Sequence, residues 1–376
     1  MALKFLPGYE RGVKIGSGTY GSVHLYHNPS DKRTLAVKDI PYRVAHATAK
    51  EIRELVEREC QVLKYLQKEC DPHFLCVLDC FHSEEHDRSY IVTEFLGDHV
   101  DLYDWIKREK SLGLRRNFAA TYMICFSAIT GLQHLHRLGV AHRDIKVENL
   151  LVELKTFQVR YIDFGFSCFE DAKTVDPSGR CTNQPLFEGT PQYMAPELLF
   201  KTATAGFLTA VQADIWALGC SLFAVLTGAD FLSVAGMYMA KEKKQKVSPE
   251  VLRDQKKKLR SDVAFLQEAF RTLPDAPLTI LREYAPTPPI YSVVERNAFE
   301  QLRVCIASML AYYPTMRRVF PLAPPSVFPL EIFPPAPVLV PEHKAAPPPT
   351  EERKRTSGPS SLKRAKTSHM EEPRPP

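Results

Sequence analysis

Fifteen of the thirty prolines in this 376-residue chain fall between Pro321 and Pro376. Proline has no amide hydrogen to give to a helix or a sheet ladder, and its ring fixes φ. A segment so rich in it cannot hold regular structure and is expected to be extended or disordered. The fold must therefore be built from roughly the first 320 residues. Within them the pattern changes once. From about 9 to 100 the residues alternate in the manner of strands, interrupted by one helical run from about Ala45 to Gln67. From about 101 to 320 the chain reads as mostly helical with loops between. No internal repeat is visible.

With 44% hydrophobic residues, the chain can bury a sizeable core. A net charge of +5 is a mild basic balance that argues for no particular acidic partner. The nine cysteines are an odd count without a CxxC pair. Cys76 and Cys80 could face one another on a helix, but no His or Cys partners complete a zinc set. Reduced thiols in a cytosolic or nuclear protein are the expectation. Met1 to Pro7 lacks the charged-then-apolar build of a signal peptide. The most apolar stretch, Ile215 to Ala229, is too short to span a bilayer and reads as a buried helix. A soluble protein with no membrane partner is expected. The lysine- and arginine-rich stretch from Lys241 to Arg260 reads as a solvated helix face, with a docking patch for acidic protein or nucleic acid as the sharper alternative. Nucleic acid is not an expected partner.

The chemistry concentrates in His142-Arg143-Asp144-Ile145-Lys146-Val147-Glu148-Asn149. Asp144 can accept a proton from an attacking hydroxyl, Lys146 can neutralise a phosphate, and Asn149 can offer an amide oxygen to a hard divalent cation. These groups suit phosphoryl transfer, where the protein mostly positions reactants and screens charge. Ile15-Gly16-Ser17-Gly18-Thr19-Tyr20-Gly21-Ser22-Val23 fits G-x-G-x-x-G-x-V, whose glycines let backbone N–H groups approach phosphate oxygens. The same pattern opens dinucleotide-binding folds, but there a helix follows. Here Val23-His24-Leu25-Tyr26 and the turn Asn28-Pro29-Ser30-Asp31 read as a second strand and a hairpin. Lys38 ends the apolar stretch Leu35-Ala36-Val37-Lys38, where an unpaired charge would be costly. Asp163-Phe164-Gly165 follows the strand-like Val159-Arg160-Tyr161-Ile162.

Taken together, these stretches resemble the eukaryotic serine/threonine protein kinase family, whose motifs include H-R-D-x-K-x-x-N, V-A-I-K and D-F-G. Gly189-Thr190-Pro191-Gln192-Tyr193-Met194-Ala195-Pro196-Glu197 adds its G-T-x-x-Y-x-A-P-E. The resemblance covers about residues 9 to 320. It implies an α+β, two-lobed kinase fold. A small β-rich lobe (about 9–93) would carry one key helix, followed by a hinge (94–97), a larger and mostly helical lobe (about 98–320) and a proline-rich basic tail (321–376). It also implies ATP and Mg²⁺ as cofactors, with transfer of the γ-phosphoryl group to Ser/Thr hydroxyls of protein substrates.

The family's roles then fall on particular residues. Asp144 would orient and deprotonate the acceptor hydroxyl, Lys146 would stabilise the transferring group, and Asn149 and Asp163 would hold Mg²⁺. The loop Ile15 to Val23 would cover the nucleotide with Tyr20 as a lid at its tip, and Lys38 would meet the α- and β-phosphates. Glu51, Glu54, Glu57 and Glu59 compete as partners of Lys38. Glu59 is the best placed, because Arg58 to Leu66 has the family rhythm R-E-x-x-x-L-x-x-L. The Glu94 carbonyl and Leu96 backbone would bond adenine, with Thr93 guarding the pocket behind. His142 and Phe164 would pack. Thr190 would bond Asp144 and Lys146, Glu197 would pair with Arg317, and Asp214 would anchor the catalytic loop.

Arg143 usually pairs with a phosphorylated residue in such proteins, yet the usual position, eleven before Glu197, is Leu186. Glu188 nearby could supply a permanent charge, so activity is not expected to need phosphorylation there. Glu148, with Met194 in place of the arginine of proline-directed kinases, leans towards substrates in a basic context. The clusters 353–355 and 363–366 read as a nuclear-import address or as a solvated tail. A cytoplasmic and/or nuclear location is the expectation. The alternative function is a catalytically weak, pseudokinase-like scaffold that binds partners through its tail. Such proteins typically lose the equivalents of Lys38, Asp144 or Asp163, and here all three are present.

Overall fold

Strands β1 (Glu10–Ser17), β2 (Ser22–His27), β3 (Thr34–Pro41), β4 (Val77–Ser83) and β5 (Arg88–Glu94) form one antiparallel sheet in the order β1-β2-β3-β5-β4. The computed structural model describes residues 6–324 apart from 18–19, 44–46, 69–70, 112–117, 171–176, 186–188, 243–275 and 289–291. By its internal contacts the chain divides into Met1–Ala336 and Pro337–Pro376. The tail beyond Pro324, with both basic clusters, and nearly all of the lysine-rich stretch lie outside the described residues.

Helix α1 (Ala49–Gln67) crosses the sheet with Ile52, Val56, Cys60, Leu63 and Leu66 buried. That i, i+4, i+7 rhythm makes one apolar stripe. Glu59 lies in the same buried stripe, so its carboxylate must find a cation. The helix starts at Ala49 and not near Ala45, because Thr48 caps it. The Thr48 hydroxyl accepts from the Glu51 amide, and the Glu51 carboxylate accepts from the Thr48 N–H at 2.7 Å.

After β5 come β6 (His99–Asp101), α2 (Leu102–Ser111) and α3 (Phe118–Arg137), and from there the chain is mostly helical. Helix α5 (Phe207–Thr227) runs through the middle of this part, with Leu218, Leu222 and Phe223 fully buried. It is flanked in sequence by the short α4 (Pro196–Leu199) and by α6 (Phe231–Glu242), with α7 (Ala276–Tyr284) and α8 (Val293–Met309) after them. Helix α5 begins well before the apolar stretch Ile215 to Ala229. At 21 residues it is long and apolar enough to cross a membrane, although 67% of its most apolar window is buried inside the protein. Two small antiparallel sheets complete the architecture. One pairs β7 (Val140–Ala141) with β10 (Cys168–Phe169), and the other orders β6, β8 (Leu150–Glu153) and β9 (Val159–Tyr161) as β6-β8-β9. The octet His142 to Asn149 is the link between β7 and β8.

The cysteines depart from the expectation of reduced thiols. Cys60 is bonded to Cys80, and Cys168 to Cys181, while Cys125, Cys220 and Cys305 are free thiols among the described residues. Cys80 stands on β4 and not on a helix with Cys76. Its partner is twenty residues away in sequence and reaches it only because α1 packs on β4. No spacing rule could reveal that pair.

Candidate active site

Lys38 projects from β3 to α1, where its ammonium donates to both Glu59 oxygens (3.0 and 2.8 Å) and to Asp163 Oδ1 (2.7 Å). Burial works against the charge of Lys38, but the Asp163 and Glu59 carboxylates outweigh it and raise its pKa, so it stays protonated. Burial alone would push the Asp163 carboxyl up, but the charge and hydrogen bond of Lys38 pull it below the ordinary carboxylate range. Glu59 goes the other way. Burial pushes its carboxyl up against the pull of Lys38, and the Asp163 charge adds to the push. Glu51 is committed to the helix cap and lies at the far end of α1.

The β1–β2 hairpin pairs Gly16 with Val23 and Ser17 with Ser22, while Gly18 and Thr19 fall outside the described residues. At Gly21 a Cβ would stand 2.3 Å from the Asp39 carbonyl oxygen, so only glycine lets the hairpin lie against β3. The ring of Tyr20 faces that of Phe166 at 6.2 Å. Ile15 is exposed on β1. At the end of β5, Thr93 is buried and its hydroxyl donates to the Ala36 carbonyl at 3.3 Å. The Glu94 side chain accepts from the Cys76 amide and from Arg160 at 3.1 Å. The Leu96 carbonyl accepts the His99 amide at 3.2 Å, so an adenine bonded there would share that oxygen.

Across the cleft, Asp144 is nearly fully buried and takes three donors. Lys146 Nζ reaches Oδ2 at 2.7 Å, Asn149 Nδ2 reaches Oδ2 at 3.1 Å, and Thr190 Oγ1 reaches Oδ1 at 2.8 Å. Lys146 also donates to Thr190 Oγ1 at 3.1 Å, which closes a three-membered ring of polar groups. The Asn149 amide nitrogen donates to the Asp144 carbonyl at 2.8 Å as well, so its oxygen is the atom a cation would use. Beneath them the fully buried Asp214 of α5 accepts the amides of His142 and Arg143, both at 2.7 Å, and His136 Nε2 at 2.9 Å. That grip holds Arg143 at φ +69°, and Asp163 stands at φ +64°. Both are left-handed conformations that non-glycine residues adopt only when their surroundings impose them. His142 packs on Phe164 with ring centroids 4.9 Å apart, and both side chains are buried.

Gly189 approaches this loop so closely that a Cβ would stand 2.7 Å from the Arg143 carbonyl. The Arg143 guanidinium donates to the carbonyls of Phe166 (3.0 Å) and Pro185. Leu186 and Glu188 lie outside the described residues. Glu197 on α4 forms a two-pronged pair with the fully buried Arg317, at 2.6 Å on each prong.

The family model for the protein kinase domain matches residues 9–318. The chain belongs to the protein kinase family. Among curated proteins it is similar to serine/threonine-protein kinase PSK1 of Saccharomyces cerevisiae, 33% identical over 218 residues, which is 57% of this chain and 15% of that protein. It is also similar to serine/threonine-protein kinase SSK22 of the same yeast, 32% identical over 226 residues, 57% of this chain and 16% of that one. With serine/threonine-protein kinase cds1 of Schizosaccharomyces pombe it shares 32% identity over 225 residues, 59% of this chain and 45% of that one. The chain thus spans less than half the length of each of these relatives.

Several residues that brace this kinase site were not singled out from the sequence. Asp39 is almost fully buried on the opposite face of β3 from Lys38, and is paired with Arg11 (3.2 Å) and Arg88. A signal was available, since two adjacent charges in a central strand put one on each face and both need partners. Arg160 links Glu94 to the Phe74 carbonyl (3.2 Å) behind the hinge. Asp71, in the link from α1 to β4, accepts from the amide and ring of His73 and from the ring of His134 on α3. The Asp71-Pro72-His73 turn is a local pattern a sequence can show. Its long-range partner His134 is not.

Proposed function

We propose that this protein transfers the γ-phosphoryl group of ATP to serine and threonine hydroxyls of protein substrates. The observation that carries the reading is the ring formed by Asp144, Lys146 and Thr190, which sets a carboxylate base beside a phosphate-neutralising ammonium and steadies both with a hydroxyl. Asp144 would take the acceptor's proton, and Lys146 would screen the charge that builds on the transferring group. Lys38, held by Glu59, would meet the α- and β-phosphates beneath the hairpin of Gly16 and Gly21, and the backbone at Glu94 and Leu96 would receive adenine. The carboxylate of Asp163 and the amide oxygen of Asn149 are hard oxygen donors suited to Mg²⁺, which when bound neutralises phosphate charge. The scaffold alternative has no specific observation in its favour.

Three finer readings follow. The carbonyls of Phe166 and Pro185 occupy the guanidinium of Arg143. This supports activity without phosphorylation at the position of Leu186. Phosphatase treatment should therefore leave activity in place, and a loss reproduced by Thr182→Ala, which removes a hydroxyl four residues before Leu186, would count against the idea. Glu148 is exposed, and its charge adds to the upward push that burial gives the Asp101 carboxyl and the Tyr193 phenol. That exposed negative charge supports a substrate with basic residues near the acceptor. The tail clusters 353–355 and 363–366 are proposed as a nuclear-import address; a fluorescent fusion with Lys363, Arg364 and Lys366 replaced by alanine should then stay out of the nucleus.

The main reading is tested by incubation with labelled ATP, Mg²⁺ and generic protein substrates. Asp144→Asn should incorporate label about 10²–10⁴-fold more slowly than the wild type, as expected for removal of a general base. Equal incorporation by the two would sink it.

A further inference from the structure

The register of the five-stranded sheet puts Lys38, Ile91 and Cys80 in one row, because Lys38 pairs with Ile91 across β3 and β5, and Ile91 pairs with Cys80 across β5 and β4. Residues directly opposite one another in an antiparallel sheet project from the same face. Lys38 and Cys80 therefore both point to α1, two strands apart, roughly 9–10 Å. On α1 their partners are consecutive residues. Glu59 meets Lys38, and Cys60 is bonded to Cys80 with the Cα atoms 6.4 Å apart. Neighbours on a helix point about 100° apart, so one reaches β3 while the other reaches β4. The ion pair and the cystine are two rungs between the same row of the sheet and the same step of the helix.

We propose that Cys60 and Cys80 are positioning residues whose thiol–disulfide exchange sets the ATP affinity of the kinase. With the cystine closed, α1 is covalently fixed at the point where Glu59 must meet Lys38. With it open, only non-covalent packing and the ion pair hold that point, and Lys38 is less often aligned for phosphate. The inference rests on the kinase reading above.

Access favours this cystine over the other. Cys80 is partly exposed on β4, an edge strand of the sheet, whereas Cys168 and Cys181 are both buried (0% and 4% exposed). The exchange needs an external couple, which here is a small dithiol as reductant and a low-molecular-weight disulfide as oxidant. A thiolate of the dithiol attacks Cys80 Sγ, the protein S–S bond breaks, and Cys60 leaves as a thiolate that takes up a proton. The second thiol of the reagent then displaces Cys80 and closes the reagent's own disulfide. Two electrons pass to the protein, leaving two thiols. The low-molecular-weight disulfide reverses the sequence.

The test uses the full chain, equilibrated with oxidised glutathione or with dithiothreitol, and counts thiols at each state. Reduction should raise KM for ATP about tenfold, within the usual range for coupling between sites, and reoxidation should restore it. Cys80→Ser should behave as the reduced wild type under both conditions. Cys181→Ser should keep the response. Hydrogen exchange of the α1 amides supplies a readout independent of catalysis, and should be faster in the reduced wild type than in the oxidised one. Equal KM and equal exchange in both states, with thiol counts showing the bond opened, would overturn the proposal. So would a response that survives in Cys80→Ser or disappears in Cys181→Ser. If label transfer fails in both states while α1 exchange still responds, the kinase reading falls and the covalent pin stands.

Discussion

Thr190 accepts a hydrogen bond from Lys146 and gives one to Asp144, so its hydroxyl is the joint between that carboxylate and that ammonium. Thr190→Val keeps the shape and removes both bonds. Hydrogen bonds to charged groups are worth about 1.5–3 kcal/mol, so kcat/KM for the protein substrate should fall by roughly tenfold to a hundredfold while KM for ATP holds. Steady-state kinetics with each substrate varied would show it, and an equal change in both would argue against the assignment. Glu59 makes a pH statement. Burial, with Asp163 adding to it, raises its carboxyl, so on acidification Glu59 takes a proton before ordinary glutamates do, while Lys38 keeps its charge. ATP affinity should therefore start to fall above the usual glutamate range, and Glu59→Gln should lack that limb of the profile. The identity of Lys38's partner was legible only as a ranking among four glutamates. It took the cap at Thr48 to show where Glu51 is used, and the packing of α1 to show that Glu59 lies in the buried stripe.

At the scale of elements, the capping box fixes where α1 begins. Thr48→Ala should lower stability by about 1 kcal/mol, read as a shift in the denaturation midpoint with unchanged slope. Gly189 tests the contact between the activation segment and the catalytic loop. It has φ +112°, and its missing Cβ leaves room for the Arg143 carbonyl, so Gly189→Ala must displace one backbone or the other. Activity should drop steeply while the thermal midpoint moves little, since the strain is local. A variant with wild-type turnover would contradict this contact. Strands β1 to β5 and the helical second part could be read from period alone, because alternation and the 3.6 repeat are local signals. The cystines and the Asp71–His134 bond could not, because they join residues whose nearness is created by tertiary packing. The extent of α5 was also missed. The apolar run Ile215 to Ala229 shows its buried middle, whereas its first turns from Phe207 hold mixed residues that become helical by continuing the same hydrogen-bond ladder.

For the molecule as a whole, the family match ends at residue 318, and the last described contacts beyond it are the Tyr122 hydroxyl on the Ala323 carbonyl (3.0 Å) and the packing of Leu322. A chain ending at Pro324 should keep the melting temperature and label transfer of the full protein. Loss of either would show that the tail is part of the working enzyme. Arg317 reports on the larger lobe in the same experiments. Arg317→Ala strands the buried Glu197 carboxylate and should destabilise by about 3–5 kcal/mol, enough to be plain in a melt. The end of α1 is tied to that lobe, through the Tyr65 hydroxyl on the Leu138 carbonyl (3.0 Å) and through Asp71 on His134 just after the helix. Mechanically, α1 is a lever with its fulcrum at that end. At 1.5 Å per residue, Glu59 stands about 9 Å from the fulcrum and Ala49 about 24 Å. With the Cys60–Cys80 bond open, a tilt of roughly 15° would shift Glu59 by about 2 Å, enough to part it from Lys38, while the tip at Ala49 sweeps about 6 Å. A small force at the tip of the helix is thus multiplied at the salt bridge, and anything that grips Thr48 or Ala49 has leverage over Lys38 and Glu59 without touching them.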